Sequence, residues 1–164
     1  MLVQGSWHIR PYRPEDLGEI MQLFRETIHA VCAGDYTPEQ LDAWAAVTRD
    51  AGKWSQSLLE NTAFVAERAD PGSPHILGFA DLTPNGWVNR LYTHKDWQGQ
   101  GIGSLLLAQL EAVARAAGLP EMRLESSITA RSFYENRGYK AYGTSEKDVW
   151  GVRFRNTLMA KPLN

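Results

Sequence analysis

Leu91-Tyr92-Thr93-His94-Lys95-Asp96-Trp97-Gln98-Gly99-Gln100-Gly101-Ile102-Gly103-Ser104-Leu105-Leu106-Leu107 is the stretch from which the rest of the chain can be read. An apolar, β-forming segment enters a short polar loop, glycines follow at every second position, and a helical sequence begins. The order is strand, turn, helix. Glycine at such a junction lets the backbone approach a ligand closely, and the first turn of a helix offers N–H groups with no intrahelical partner, which suits a phosphate. The P-loop does not fit, because Ile102-Gly103-Ser104 lacks its lysine. The dinucleotide fingerprint does not fit either: Gly99, Gly101 and Gly103 are evenly spaced and position 104 is serine.

Upstream of this stretch, Trp87 to Thr93 reads as a strand that returns from His75 to Thr83 through the turn Pro84-Asn85-Gly86, so the two are expected to be antiparallel. Thr62 to Arg68 has strand composition as well. Downstream, a helix is predicted from Gly101 to about Ala117, with Leu105, Leu106, Ala108, Gln109 and Ala112 setting its phase and Gly118 ending it. Met122 to Ser126 follows as a strand, parallel to Trp87–Thr93 by the right-handed crossover rule. Thr129 to Arg137 is predicted as a short helix, and Tyr139 to Gly143 with Val152 to Lys161 as a closing hairpin.

The first sixty residues read as a strand at Trp7 to Arg10 followed by helices. Leu17, Ile20, Met21, Phe24 and Ile28 keep helical spacing, and Thr37-Pro38-Glu39-Gln40 is a capping box that starts a second helix. A third, shorter helix is expected around Ala51 to Glu60.

The chain has 164 residues, 43% hydrophobic and 22% charged, which predicts a single domain at 1–164 with a self-sufficient core. No apolar run approaches the roughly 20 residues that span a bilayer, and Met1 to Trp7 lacks a basic-then-apolar leader, so no membrane partner and a cytoplasmic location are expected. One cysteine, Cys32, excludes an internal disulfide, and four dispersed histidines make a metal site an unexpected feature. A formal charge of −2 argues against nucleic acid as a partner.

Gln98-x-x-Gly101-x-Gly103 after a strand resembles the acetyl-CoA pyrophosphate loop of the GNAT superfamily of N-acetyltransferases, and Ala130-Arg131-Ser132-Phe133-Tyr134-Glu135-Asn136-Arg137-Gly138-Tyr139 resembles that superfamily's second signature. The two occur in the family's order, separated by one helix and one strand. Tyr36 to Ala45 and Asn156 to Leu163 are similar to a subgroup of small bacterial GNAT proteins of poorly defined substrate.

The resemblance implies an α/β fold: a central mixed, mostly antiparallel sheet, splayed between its fourth and fifth strands and flanked by helices. It implies acetyl-CoA as acyl donor, with no metal. Backbone N–H groups of Gln98, Gly99, Gln100, Gly101, Ile102, Gly103 and Ser104 would hold the pyrophosphate. The main chain of Leu91, Tyr92 and Thr93 would meet the pantetheine arm and acetyl carbonyl, and Ser127 would stand where relatives carry a cofactor-touching Asn.

Tyr134 matches the family's general acid, although the same ring could simply pack or bond the cofactor sulfur. The base is harder to assign, because Trp87 and Asn89 occupy positions where relatives carry Glu or His. Asp81, or a water relay through Asn89, are the candidates, with a surface role for Asp81 as the plainer reading. The acceptor is expected to be a primary amine of a small molecule or peptide. Acids outnumber bases between Pro11 and Glu60, which would favour a cationic amine or reflect only a solvated helix face. A non-catalytic acyl-CoA-binding module is the alternative. A homodimer through the last strands is also expected from the resemblance.

Overall fold

Ile76–Leu82 is buried along its whole length, and the rest of the molecule is arranged to cover both of its faces. The computed structural model describes residues 7–164, so the sequence reading of Met1 to Ser6 lies outside the described residues. In chain order the elements are β1 (Trp7–Pro11), α1 (Leu17–Val31), α2 (Pro38–Ala45), α3 (Ala51–Glu60), β2 (Thr62–Arg68), β3 (Ile76–Leu82), β4 (Trp87–Thr93), α4 (Ile102–Ala116), β5 (Glu121–Ser126), α5 (Arg131–Glu135), β6 (Lys140–Val149) and β7 (Val152–Pro162). Among the described residues the strands form one sheet in the order β1-β2-β3-β4-β5-β7-β6. Only β4 and β5 are parallel neighbours, as the crossover rule requires.

Two apolar clusters lie on opposite faces. On one, α4 lays Ile102, Leu106, Leu107, Leu110 and Ala114 against Leu77, Ala80, Val88, Met122, Leu124 and Met159. On the other, Ile20, Leu23, Phe24 and Ile28 of α1, joined by Leu41, Trp54 and Leu58 from α2 and α3, cover Val65, Ile76 and Phe79. The capping box forms as the sequence indicates, with Gln40 N–H donating to Thr37 Oγ1 and Thr37 N–H to the Gln40 side chain.

Three sequence expectations change in detail. The α4 core face runs through Ile102, Leu106 and Leu110, while Leu105 is 50% exposed, because the 102/106/110 spacing points at β3 and the neighbouring leucine must then point away. β6 continues to Val149 rather than stopping at Gly143. Its polar residues Thr144 to Asp148, exposed apart from the half-buried Ser145, carry no alternation signal, yet they pair with β7 through Val149↔Val152. The last short helix is confined to Arg131–Glu135, and Gly138 turns the chain at φ +92.

Candidate active site

The site begins with a strand irregularity. Across the β3–β4 ladder Asp81 opposes Arg90 but Leu82 opposes Val88, which leaves Asn89 as an extra residue in β4. A bulge of this kind bends its strand. On its other side β4 is paired with β5 only at Trp87↔Arg123 and Val88↔Leu124; beyond Val88 the two strands part. His94 N–H donates to Leu77 on β3, so by antiparallel alternation the main-chain groups of Leu91 and Thr93 face the opening. The opening belongs to a cleft of about 1070 Å³ that runs from the glycine loop to the β6–β7 hairpin.

At one end of the cleft lies the glycine loop. Gly99 and Gly101 hold φ of +72 and +87, a region that favours glycine, and Gly101 is the N-cap of α4. Gly103 has its own reason to lack a side chain: a Cβ there would stand 3.3 Å from the Phe133 ring. The loop is tied to its strand by Gln98 Nε2, which donates to the Thr93 and His94 carbonyls at 2.7 and 3.3 Å. Thr93 also receives Thr27 Oγ1 at 3.1 Å, so its carbonyl is committed within the protein. Gln98, Gly99, Gly101, Ile102, Gly103 and Ser104 all border the cleft. Gln100 is exposed and does not border it, while Ile102 sends its side chain into the core and can offer only its backbone.

The structure adds a cation that the motif reading had missed. Arg137 stacks on the Phe133 ring at 3.8 Å, donates from Nη1 to the Phe133 carbonyl at 2.9 Å, and donates from Nε and Nη2 to Ser104 Oγ. It thus holds a positive charge beside the free N–H groups of α4. Backbone N–H groups, a helix N-terminus and a guanidinium together fit a pyrophosphate. The sequence signal was Arg137 itself, inside the second signature, but its approach to Ser104 depends on how α5 packs on α4.

Tyr134 borders the middle of the cleft, edge-on to Phe133 and Tyr139 at 5.2 and 5.6 Å. Burial raises its pKa, so its phenol stays protonated. Ser127 also borders the cleft, although its hydroxyl accepts Ala130 N–H at 3.2 Å and serves the turn into α5. The α1–α2 connection bridges to this turn: Ile128 N–H donates to Tyr36 Oη at 2.8 Å and Thr129 Oγ1 to Asp35 at 2.7 Å. Cys32 lies beneath the bridge, and burial pushes its thiol pKa up, away from a reactive thiolate. Tyr92 is wedged between Phe24 and Phe79, and burial raises its phenol likewise.

Asp81 is neither a surface residue nor part of the cleft wall. It is 0% exposed; Arg90 donates to both its oxygens at 3.0 and 2.6 Å, Asn61 at 2.9 Å, and Asn89 at 3.3 Å. A carboxylate so fully engaged is poorly placed to collect a proton. Its work is to hold Arg90, whose guanidinium also lies 4.6 Å over the Trp54 ring and donates to Ser57. Asn89, at the bulge, does border the cleft. None of the acids of the N-terminal helices borders the cleft, and three are engaged elsewhere: Asp16 pairs with Arg10, Asp42 with His29, and Glu19 accepts the His75 and Ile76 N–H groups. From that region the cleft receives one charged side chain, Lys53.

A strand edge left open over the length of an extended ligand, ending at a phosphate-ready loop, defines a transferase that draws on a long phosphorylated donor. The chain belongs to the acetyltransferase (GNAT) domain family, whose profile matches residues 32–161, and it is an N-acetyltransferase. It is 26% identical over 92% of its length to an uncharacterized N-acetyltransferase, YafP, of Escherichia coli, covering 93% of that protein. A spermidine N(1)-acetyltransferase of Thermoplasma acidophilum is 27% identical, with 87% of this chain and 94% of that one covered. The crystal structure of a GCN5-related N-acetyltransferase from Rhodopseudomonas palustris superposes with a TM-score of 0.90 at 31% identity over 99% of both chains. Solved structures of this fold hold coenzyme A or acetyl-CoA.

Proposed function

We propose that this chain, as one domain, transfers the acetyl group of acetyl-CoA directly to a primary amine of a small molecule or peptide, with Tyr134 as the general acid. The observation that carries the reading is a buried, protonated phenol bordering the same cleft as the glycine loop and the open edge of β4. When bound, acetyl-CoA supplies a thioester whose acetyl carbon gains a bond to the amine nitrogen and loses its bond to sulfur, the amine giving up a proton and the sulfur taking one.

The chain's residues divide this work. The N–H groups of Gln98, Gly99 and Gly101 to Ser104, with Arg137, hold the pyrophosphate, and the main chain of Leu91 orients the acyl group. Tyr134 donates the proton that sulfur takes. The amine proton leaves through water beside Asn89, since Asp81 is committed to Arg90. The raised pKa of Cys32 favours direct transfer over a relay through a cysteine. A free, buried cysteine is compatible with the cytoplasm, and the exposed edge of β6 is a surface on which two copies could pair.

The test is release of free thiol from acetyl-CoA in the presence of a panel of primary amines. Amine-dependent release supports the reading. Silence across the panel, with acetyl-CoA shown to be bound, supports instead an acyl-CoA-binding module, which the lack of a carboxylate or histidine at Trp87 and Asn89 would explain.

A further inference from the structure

The charged side chains bordering the cleft are Lys53, Arg90, Glu125, Arg137 and Lys147, so Glu125 is the single carboxylate among the described residues that line it. Arg90 is neutralised by Asp81, and Arg137 stands at the glycine loop. This leaves Glu125 and Lys147, paired with each other, and Lys53 elsewhere on the lining. Glu125 directly follows Leu124, the last β5 residue in register with β4, and therefore sits where the sheet begins to open. Its Oε2 lies 3.0 Å from Lys147 Nζ on β6 and accepts Asn156 Nδ2 at 3.4 Å from β7. Tyr36, Trp44, Trp87 and Phe154 contribute aromatic surface to the same cleft.

We propose that the acceptor is an amine that carries its own carboxylate, an apolar or aromatic amino acid, and that the Glu125–Lys147 ion pair reads it. The acceptor's ammonium takes Glu125 while its carboxylate takes Lys147. This proposal rests on the N-acetyltransferase reading and narrows its substrate.

The argument is one of charge balance. A zwitterion that opens the pair gives each partner a new counterion and leaves no charge unmatched. A simple amine would take Glu125 and strand the Lys147 ammonium. A polyamine would bring several positive charges to a cleft whose one carboxylate, Glu125, already faces Lys147, with Lys53 as a further cation on its lining. Lys147 is 53% exposed at its side chain, so the resting pair contributes little to the fold and is free to open. The aromatic surface suits the acceptor's apolar side chain. Glu125 acts here as a positioning residue for the amine.

The experiment compares phenylalanine and leucine with phenethylamine, which lacks the carboxylate, and with spermidine. It reads thiol release from acetyl-CoA, and calorimetric binding of each acceptor to the protein loaded with coenzyme A. The expected result is tighter binding and a kcat/KM about tenfold or more higher for the amino acids, the scale of one charge-assisted hydrogen bond. E125Q should raise the amino-acid KM about tenfold with a smaller change in kcat, and K147M should close the gap between phenylalanine and phenethylamine. Unchanged acetyl-CoA affinity in both variants shows that they fold. A preference for phenethylamine or spermidine, or a gap that survives K147M, overturns this proposal and leaves the N-acetyltransferase reading standing. No transfer to any of the four, with acetyl-CoA bound and another amine of the panel releasing thiol, overturns this proposal alone, and silence across the whole panel overturns the amine-transfer reading with it.

Discussion

Tyr134 is protonated at neutral pH as any phenol is, burial tightens its hold on the proton, and in proton transfer a group in that state acts as the donor. Tyr134→Phe keeps the ring packing against Phe133 and Tyr139 while removing the O–H, so we expect kcat to fall about a hundredfold or more and the acetyl-CoA dissociation constant to stay within about twofold, read by steady-state kinetics and calorimetry. An unchanged kcat would remove the acid role. Asp81 gives the opposite pattern. Breaking a buried, doubly bonded ion pair costs about 3 kcal/mol or more, so Asp81→Asn should lower the melting temperature markedly. The shape of the pH–rate profile should persist, whereas a lost acidic limb, the one a general base produces, would return Asp81 to the chemistry. The place of Tyr134 beside the cleft was legible because its signature is contained in ten consecutive residues. Asp81 was not, since its partner Arg90 meets it across a strand pair with a bulge between, and Glu125 was missed because Lys147 and Asn156 reach it from two other strands.

At the scale of elements, the glycine loop and the start of α4 form a preset anion site. A side chain at Gly101 would have to adopt a left-handed backbone, at a cost of about 1 kcal/mol. Gly101→Ala should therefore lower stability by that amount and weaken acetyl-CoA binding together. Arg137→Met removes the charge together with the hydrogen bonds to Ser104 and the Phe133 carbonyl while keeping an apolar side chain beside the Phe133 ring, and should raise the acetyl-CoA dissociation constant about tenfold and flatten its dependence on salt, measured by titration at two ionic strengths. The helices and the parallel crossover were readable from capping residues and apolar periodicity. The reach of β6 was not, because an edge strand wet on both faces has no pattern to read. The phase of α4 was misjudged for a related reason: Leu105 and Leu106 are both apolar, and only the position of β3 decides which of them is inside.

At the scale of the whole molecule, the far edge of the sheet is fastened by a polar cluster. Arg10 bonds Asp16 and Glu67, and Glu67 also meets His8 and His75, joining β1, β2 and the start of β3. The Arg10 guanidinium, followed by His75, holds the Glu67 carboxyl down to about 2. In the unfolded chain it would titrate near 4.3. A depressed carboxylate adds stability above its unfolded pKa and loses it as the pH falls toward its folded one. Thermal melts of the native protein and Glu67→Gln should thus differ most above about pH 5 and converge toward pH 2. Parallel curves across that range would show that Glu67 contributes through packing rather than charge.

The parting of β4 from β5 after only two registered residues also bears on how the protein keeps to itself. An unpaired strand at the rim of a sheet invites any passing chain to add itself. Here an unpaired edge is placed inside the sheet, with β5 and β7 beyond it, the Tyr36–Ile128 and Asp35–Thr129 bonds beside it, and the aromatic side chains of the cleft around it. With strands on either side of it, this edge is not at the rim of the sheet, where a second chain adds itself, so the protein keeps open backbone groups on β4 away from the place where edge-to-edge aggregation begins.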